Sequence, residues 1–302
     1  MTTSKSPNDV ARLAYITAQR CLPAYRHEFS PKKFTQHQLA ACLVMKEFFR
    51  TDYRGLAELL KDSSDLKRIL ELKTVPHFTT FQKAARTILR KQTIKKLIKE
   101  IARIATELKI LKQRDNLSAI DSTGLEAGHT SRYFVKRRER GEKNLYQTTT
   151  YKRFPKLAIA CDTATHIITG ALSLRGPFPD VVHFKKLIQE LLAINVPNTL
   201  LADAGYDSEE SHRFAREECG IHTIIPPLLG RKTDKLPTGY YRREMATHFD
   251  RTTYGQRWQV ETVMSMIKRN LGEELSGKSY WSQCREMMLK VFTHNVMIVR
   301  WV

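Results

Sequence analysis

Four residues near the carboxyl end of the chain have the types and the spacing to contact a phosphate backbone and a metal ion. They are Tyr254, Arg257, Glu261 and Lys268. The stretch from 254 to 269 that contains them has no Gly or Pro after Gly255. At about 100° per residue they fall within an arc of roughly 60° on a single helix, so they share one face. A carboxylate beside two cations and an aromatic ring suits metal-dependent phosphoryl transfer on DNA. The same pattern also suits a solvated helix with an Arg–Glu pair.

Two aspartates follow apolar segments that have strand character. The segment Asn116–Ile120 leads into Asp121, and the segment Asn198–Ala202 leads into Asp203. Two metal ions roughly 3.5–4 Å apart need two or three carboxylates between them, so these aspartates are candidate partners of Glu261.

Each aspartate alone has a plain structural alternative, because an Asp after a buried strand commonly opens a turn or caps a helix. Asp207 and Ser208 are expected to cap the helix that begins near Ser208. Asp203 would then remain on its strand without a structural role.

The motifs Ile-Asp-Ser-Thr, Ala-Asp-Ala-Gly-Tyr-Asp-Ser and the Tyr, Arg, Glu, Lys helix resemble the catalytic triad of the DDE transposases of bacterial insertion sequences. The helix matches the pattern of the insertion-sequence-four superfamily and its insertion-sequence-five-like relatives: Tyr, two residues, Arg, three residues, Glu, six residues, Lys. The resemblance extends from Leu117 to Trp301. The long β-rich insertion that some members carry before the glutamate helix is absent.

This resemblance implies a DDE transposase that cleaves DNA at transposon ends and transfers the ends into target DNA. It implies that Asp121, Asp203 and Glu261 are the catalytic residues and the ligands of two Mg²⁺ ions, for which Mn²⁺ would substitute. Tyr254, Arg257 and Lys268 would bind the DNA end, although Arg257 is also placed to pair with Glu261.

The implied partner is double-stranded DNA, at the inverted-repeat ends and at the target. The expected assembly on DNA is a homodimer, and the expected location is the bacterial cytoplasm, at the nucleoid.

Composition independently favours a polyanionic partner. The 302 residues include 51 Lys and Arg against 31 Asp and Glu, a formal net charge of +20, and the sequence pI is about 9.8. No apolar run is long enough for a membrane span or a signal peptide, so we expect a soluble intracellular protein. The five widely spaced cysteines contain no Cys-x-x-Cys pair and indicate neither a disulfide framework nor a zinc site.

Residues 1–115 have helical periodicity, and we expect a helical DNA-binding or dimerisation region there. The expected helices are Thr35–Arg50, Tyr53–Lys61, Asp65–Leu72, Thr79–Leu89 and a long amphipathic helix from Ile94 to Leu111. Short helices in this order could form a helix-turn-helix module. An ordinary helical packing or dimerisation domain explains the pattern equally well.

Residues 116–302 alternate apolar strands with amphipathic helices. Strands are expected over Asn116–Thr123, Pro155–Asp162, His166–Leu174, Thr199–Asp203 and His222–Ile225, and helices over Asp180–Ala193 and Ser208–Cys219 before the Tyr254 helix. This order is that of an α/β ribonuclease-H-like catalytic domain, a mixed sheet flanked by helices. The resemblance implies that the first and fourth strands are neighbours, which would bring Asp121 and Asp203 together.

The segment from His129 to Lys156 is strongly basic. It has nine Lys and Arg residues against two Glu, with tyrosine and phenylalanine interleaved. Such a run is often only a solvated loop, but its position beside the predicted site favours a DNA backbone track. The residues expected to bind DNA there are Lys136, Arg137, Arg138 and Arg140.

Three functions are compatible with these observations: an active transposase, a catalytically silent host-adopted DNA-binding protein, and another nuclease of the ribonuclease-H-like fold. The complete triad disfavours the second function. The transposase-specific helix pattern disfavours the third.

Overall fold

The computed structural model describes residues 3–112, 116–127, 154–228 and 235–299. Within these ranges a helical N-terminal region precedes a five-stranded mixed sheet that is flanked by helices. The expected α/β class is therefore confirmed.

The N-terminal region consists of α1 (Pro7–Cys21), α2 (Gln36–Phe48), α3 (Tyr53–Asp62), α4 (Ser64–Ile69), α5 (Phe78–Ile88) and α6 (Lys91–Glu107). The first four helices each begin at a side chain that accepts a backbone N–H of the first turn, which stabilises the helix end; these side chains are Ser6, Thr35, Asp52 and Ser63.

The predicted helices agree with α2 to α6 except at their ends. α6 ends at Glu107, before the end of the predicted stripe at Leu111, and Lys109 adopts a positive φ of 57° where the chain turns away. The sequence reading missed α1, although Ser6 followed by Pro7 is the expected pattern of a helix start.

The main sheet contains β1 (Leu117–Gly124), β3 (Phe154–Asp162), β4 (Ile168–Gly176), β5 (Thr199–Leu201) and β6 (His222–Ile224), in the order β4-β3-β1-β5-β6. The β1–β3 and β3–β4 pairs are antiparallel, whereas β1–β5 and β5–β6 are parallel. This is the topology of the ribonuclease-H-like fold. The predicted fourth strand corresponds to β5, so its predicted pairing with the first strand, β1, is confirmed.

A small second sheet, which the sequence did not indicate, closes the end of the first. β2 (Glu126–Ala127) pairs in parallel with β7 (Glu274–Leu275). The pair links the segment just after β1 to the segment just after the glutamate helix, so it ties these two parts of the site together.

The helices of the second part are α7 (Phe184–Leu192), α8 (Glu209–Arg213), α9 (Tyr240–Thr247), α10 (Arg251–Tyr254), α11 (Trp258–Leu271) and α12 (Tyr280–Ile298). A 3-10 turn over Asp180–His183 precedes α7, and a π-helical turn over Phe214–Glu218 extends α8. The expectation of one helix through Tyr254 and Lys268 needs correction, because a 3-10 turn at Gly255–Arg257 joins α10 to α11.

The sheet separates two apolar clusters. Ala119 and Ile159 belong to the cluster on the side of α6, α11 and α12, and this cluster continues into the core of the N-terminal helices. Ile120 and Ala160 face the other way, towards α7. No helix of the described ranges is both long and apolar enough to cross a membrane.

α12 connects the sheet to the N-terminal helices. Asn295 uses its side-chain amide to bond both the N–H and the C=O of Ile168 at the start of β4, at 2.9 and 2.8 Å. One turn earlier, Lys290 is buried and donates to the Glu47 carboxylate of α2 at 2.6 Å and to the Leu271 carbonyl at 2.5 Å.

We predict that Lys290→Met lowers the free energy of unfolding by roughly 3 kcal/mol, because it leaves the Glu47 carboxylate buried with only the longer contact to Lys46. Urea denaturation measures the change. Lys61→Met is the control, since the Lys61–Glu58 pair is exposed and should change stability by less than about 1 kcal/mol. Equal effects of the two substitutions would contradict a structural role for the buried pair.

Candidate active site

Asp121 and Asp203 lie at the same level of neighbouring strands. In the parallel ladder of β1 and β5, Ala119 is paired with Leu201. Asp121 lies two residues after Ala119, and Asp203 lies two residues after Leu201. Because side chains alternate along extended chain, both aspartates occupy the sheet face of Ala119 and Leu201. Burial and, to a smaller extent, the negative charge of Asp203 raise the pKa of Asp121.

Asp203 is not on the strand, as expected from the sequence, but immediately after it. β5 ends at Leu201, and Asp203 caps the short 3-10 turn Ala204–Tyr206 by accepting the Gly205 N–H at 3.0 Å. The chain bends there because the ladder with β1 and β6 is complete. The expectation that Asp203 has no structural role was therefore wrong, although its other carboxylate oxygen takes no part in the cap.

The Asp121 carboxyl is mostly enclosed, with 19% of its side chain exposed. Burial raises its pKa to about 6, and the charges of Asp203 and Asp180 act in the same direction. The Ser122 N–H, which donates to Oδ1 at 2.7 Å, and the Arg257 guanidinium oppose this rise. The carboxyl thus lies in surroundings where a further positive charge would stabilise its ionised form.

Arg257 joins the sheet to the glutamate helix. Its Nη1 lies 3.4 Å from Oδ2 of Asp121, and its Nη2 donates to Oε1 of Glu261 in a close ion pair one helical turn away. Glu261 is otherwise open, with 54% of its side chain exposed. The guanidinium is therefore the positive charge that links Asp121 to Glu261.

Tyr254 and Lys268 lie at the two ends of the same stripe. The Tyr254 ring packs edge-on against Phe249 with ring centroids 4.9 Å apart. Burial raises the pKa of the Tyr254 hydroxyl, and the positive charge of Arg257 opposes this rise. Lys268 is half-buried on α11 and makes no ion pair with another described residue. It lies two turns, roughly 10 Å, beyond Glu261.

A fourth carboxylate, Asp180, approaches the site and was missed from sequence. It pairs with the buried Lys156 at 2.8 Å, and Lys156 also donates to the Phe178 carbonyl at 3.0 Å. Asp180 adds to the burial that raises the pKa of the Tyr206 hydroxyl, as do Asp121 and Asp203. A lysine within the otherwise apolar β3 was the available signal, because a buried ammonium requires a carboxylate partner.

Of Asp207 and Ser208, which were both expected to cap the helix that begins near Ser208, only Ser208 does so. Ser208 caps α8 by accepting the Ser211 N–H at 2.9 Å, as expected. Asp207 does not cap this helix. It accepts hydrogen bonds from both Nε and Nη2 of Arg242 in α9, and these bonds fix the chain that leads to the glutamate helix.

The basic track lies only partly within the described residues. Lys136, Arg137, Arg138 and Arg140 lie outside the described residues, so their DNA-binding role stays a prediction. Lys156, which was counted with this segment, is buried against Asp180 and is not part of a DNA-facing surface. Trp258 is 54% exposed beside Arg257.

The donor set suits a hard divalent cation only in part. Asp121 and Asp203 present carboxylates on one face, which is the ligand chemistry of Mg²⁺ and Mn²⁺. The third carboxylate, Glu261, is bonded to Arg257. Across the part of the chain that the structure describes, no three His, Cys, Asp or Glu side chains come close enough together to hold an ion.

Comparison with known proteins gives one family match. The model of the transposase DDE domain family matches residues 112–296, which is more than half of the chain and includes all three acids.

Among solved structures, the chain is similar to the piggyBac transposase in a synaptic complex with hairpin DNA, with 9% identity, a TM-score of 0.49, and coverage of 98% of this chain and 74% of that one. It also resembles the Mos1 mariner paired-end complex with Mn, with 13% identity, a TM-score of 0.23, and coverage of 90% and 81%. The Mos1 strand transfer complex matches with 14% identity, a TM-score of 0.23, and coverage of 88% and 77%.

We predict that Asp121→Asn stabilises the metal-free protein at pH 8 by about 1–3 kcal/mol, because ionising a carboxyl with a raised pKa costs folding free energy. The folded pKa, about 6, exceeds the ordinary value of 3.8. The cost is therefore absent below pH 3.8, grows between these values and is complete above pH 6. Asp121→Asn also removes the charge contact with Arg257, so the gain in stability is smaller than the full pKa shift of Asp121 would give.

Thermal unfolding in EDTA at pH 4 and pH 8 measures this difference. Asp65→Asn, which alters an exposed ion pair with Arg68, is the control and should change little at either pH. A wild-type protein as stable as the Asp121 variant at pH 8 would contradict the raised pKa.

Proposed function

Because the chain belongs to the family of transposase DDE domains, we propose that it cleaves DNA at transposon ends and joins those ends to target DNA, using Asp121, Asp203 and Glu261. The register of β1 with β5 supports this most directly, since it holds two of the three carboxylates at one level and on one face. Arg257 then links the third carboxylate to the first.

The proposed reaction is displacement at phosphorus without a covalent enzyme intermediate. In the first step water breaks a phosphodiester and leaves a 3′ hydroxyl. In the second, that hydroxyl attacks a phosphodiester of the target, forms the new bond and releases a target 3′ oxygen. A bound divalent cation supplies charge neutralisation at the phosphate and acidifies the attacking oxygen. Asp121, Asp203 and Glu261 would hold it.

In this scheme Arg257 exchanges its charge partners, from carboxylates of the protein to a phosphate of the DNA. Arg257 holds Glu261 and Asp121 in the arrangement described above. Arg257 would leave these carboxylates when they hold a cation, and it would then bind a DNA phosphate together with Lys268. Tyr254, fixed against Phe249, would pack against the terminal nucleotide.

Further parts of the proposal rest on the motif of the glutamate helix. We assign the chain to the insertion-sequence-four superfamily, with insertion-sequence-five-like character, and to the cytoplasm of a bacterial cell. The ion would be Mg²⁺, with Mn²⁺ as a substitute. A homodimer would hold two double-stranded ends, and residues 1–115 would contribute DNA-binding or dimerisation contacts.

A strand-transfer assay separates this proposal from its alternatives. The purified protein is incubated with Mg²⁺ or Mn²⁺, a plasmid target and DNA ends taken from the sequence that flanks its own coding region. Joined products support a transposase. Binding alone indicates a silent DNA-binding protein, and cleavage without joining indicates a different nuclease.

We predict that Asp121→Asn, Asp203→Asn and Glu261→Gln each lower end cleavage by at least about a thousand-fold, because each removes a metal ligand and with it several kcal/mol of transition-state stabilisation. DNA affinity should stay within about two-fold, since phosphate contacts by Lys and Arg dominate it. Gel assays of nicking and binding measure both quantities. Glu126→Gln, an exposed acid just after β1, is the matched control. Appreciable nicking by one of the three variants would remove that residue from the triad.

The exchange of charge partners predicts that Arg257 affects metal binding and that Lys268 does not. In the absence of DNA, Arg257→Ala should bind Mn²⁺ about five-fold more tightly, because the ion no longer displaces a guanidinium from two carboxylates. Lys268→Ala should leave Mn²⁺ affinity unchanged. Both variants should weaken binding to DNA ends. Titration of free Mn²⁺ by electron paramagnetic resonance measures the affinity.

The opposite result is equally informative. Weaker Mn²⁺ binding by Arg257→Ala would show that Arg257 orients Glu261 as a ligand instead of competing with the ion. Unchanged metal binding and unchanged end binding in both variants would reduce the stripe to a solvated helix face.

A further inference from the structure

An exposed aromatic and cationic surface lies at the start of α12. Trp281 has 71% of its surface exposed, and its ring centroid lies 5.3 Å from that of Tyr280. The Arg175 guanidinium of β4 stacks over the Tyr280 ring at 4.1 Å. Arg175 has no carboxylate partner among the residues described, and Lys278 is exposed nearby in the chain. We name Arg175, Lys278, Tyr280 and Trp281 the aromatic platform.

The backbone under the aromatic platform is held rigidly. Glu286 accepts the N–H groups of Ser276 and Gly277 at 3.0 and 2.9 Å, and Gln283 donates to the Gly277 carbonyl at 2.9 Å. A side chain at Gly277 would meet the Gln283 nitrogen at 2.8 Å, so this close approach requires glycine. The exposed Trp281 ring and the half-buried Tyr280 ring therefore stand on a fixed loop and helix start, which reduces the entropy lost when a ligand binds.

The strand register relates the aromatic platform to the proposed active site. Asp121 is level with Ile159 of β3 and Ala171 of β4, and Arg175 pairs with Pro155 on the same sheet face. Arg175 is thus two strands across and four residues along from Asp121. These spacings correspond to about 10 Å and about 13 Å, or about 16 Å in all.

We propose that the aromatic platform stacks unpaired nucleobases of a DNA strand that extends away from the active site. The inference rests on the proposed function. Exposed aromatic rings beside cations bind bases by stacking and the adjoining phosphates by charge. At 3.4 Å per nucleotide, the distance from Asp121 corresponds to about five nucleotides.

Charge and geometry favour this occupant over others. A second copy of the chain, or the basic segment around Lys136 to Arg140, would bring further positive charge to a cationic surface, because the whole chain carries a formal charge of +20. Paired bases within a duplex have both faces covered by their neighbours. An exposed indole ring can therefore stack on unpaired bases, and a blunt end held at Asp121 stops about 16 Å short of the aromatic platform.

Fluorescence tests the contact directly. The protein contains three tryptophans, so the double substitution Trp258→Phe and Trp301→Phe leaves Trp281 as the single reporter. In EDTA, which prevents cleavage, we expect acrylamide to quench Trp281 strongly in the free protein. Addition of a duplex with an unpaired tail of about five nucleotides should quench its emission and protect it from acrylamide. The blunt duplex of the same sequence should do neither.

Affinity measurements complete the test. Trp281→Ala should weaken binding of the tailed duplex by roughly five- to a hundred-fold, the range for one stacked base, and leave the blunt duplex unchanged. Trp281→Phe should keep most of the affinity, since it keeps an aromatic face. Tyr240→Ala is the matched control, because it removes a similarly exposed aromatic ring from α9. α9 packs against α8.

Each other outcome overturns the inference. Equal losses for tailed and blunt duplexes, or no loss for either, would show that Trp281 does not read unpaired bases. An indole shielded from acrylamide in the free protein would show that a protein segment or a second copy covers the aromatic platform. Wild-type binding to the blunt duplex tests the proposed function separately, because that binding does not require the aromatic platform.

Discussion

The parallel pairing of β1 with β5 is the constraint on which the remainder of the site depends. It joins strands that are separated in sequence by two antiparallel strands and a helix, and it sets Ala119 against Leu201. Asp121 and Asp203 then reach one level because each lies two residues further on. A shift of one residue in this register would turn one carboxylate to the opposite face of the sheet. The apolar clusters on both faces hold the register, since Ala119 and Ile120 each pack into the cluster on their own face.

The juxtaposition of two carboxylates creates an electrostatic problem that the structure meets with Arg257. Burial and the charge of Asp203 raise the pKa of Asp121, and the guanidinium opposes this rise. Arg257 lies in the 3-10 turn between α10 and α11, so it reaches back to β1 while it also contacts Glu261 one turn ahead. The same residue therefore positions the glutamate helix on the sheet and balances its charge.

The helical N-terminal region and the sheet share a core through α12. Its buried side chains contact helices on one side and the sheet on the other, and the Lys290–Glu47 pair lies within that contact. Asn295 binds both backbone groups of Ile168 at the start of β4, which leaves little freedom for α12 to slide along the sheet. The aromatic platform at the other end of α12 therefore has a position that is tied to the active-site face.

Short-range pattern was sufficient for much of this protein. The apolar strands, the amphipathic helices and the helical period of Arg257, Glu261 and Lys268 depend on neighbours a few residues apart. The sequence alone therefore determined most of the elements, the fold class and the candidate acids. Tertiary contacts decided the rest, because they join residues far apart in the chain. Such contacts paired Asp207 with Arg242, buried Lys156 against Asp180 and left Trp258 exposed. The choice of partner for each charge depended on which strands and helices became neighbours, and local periodicity carries no information about that.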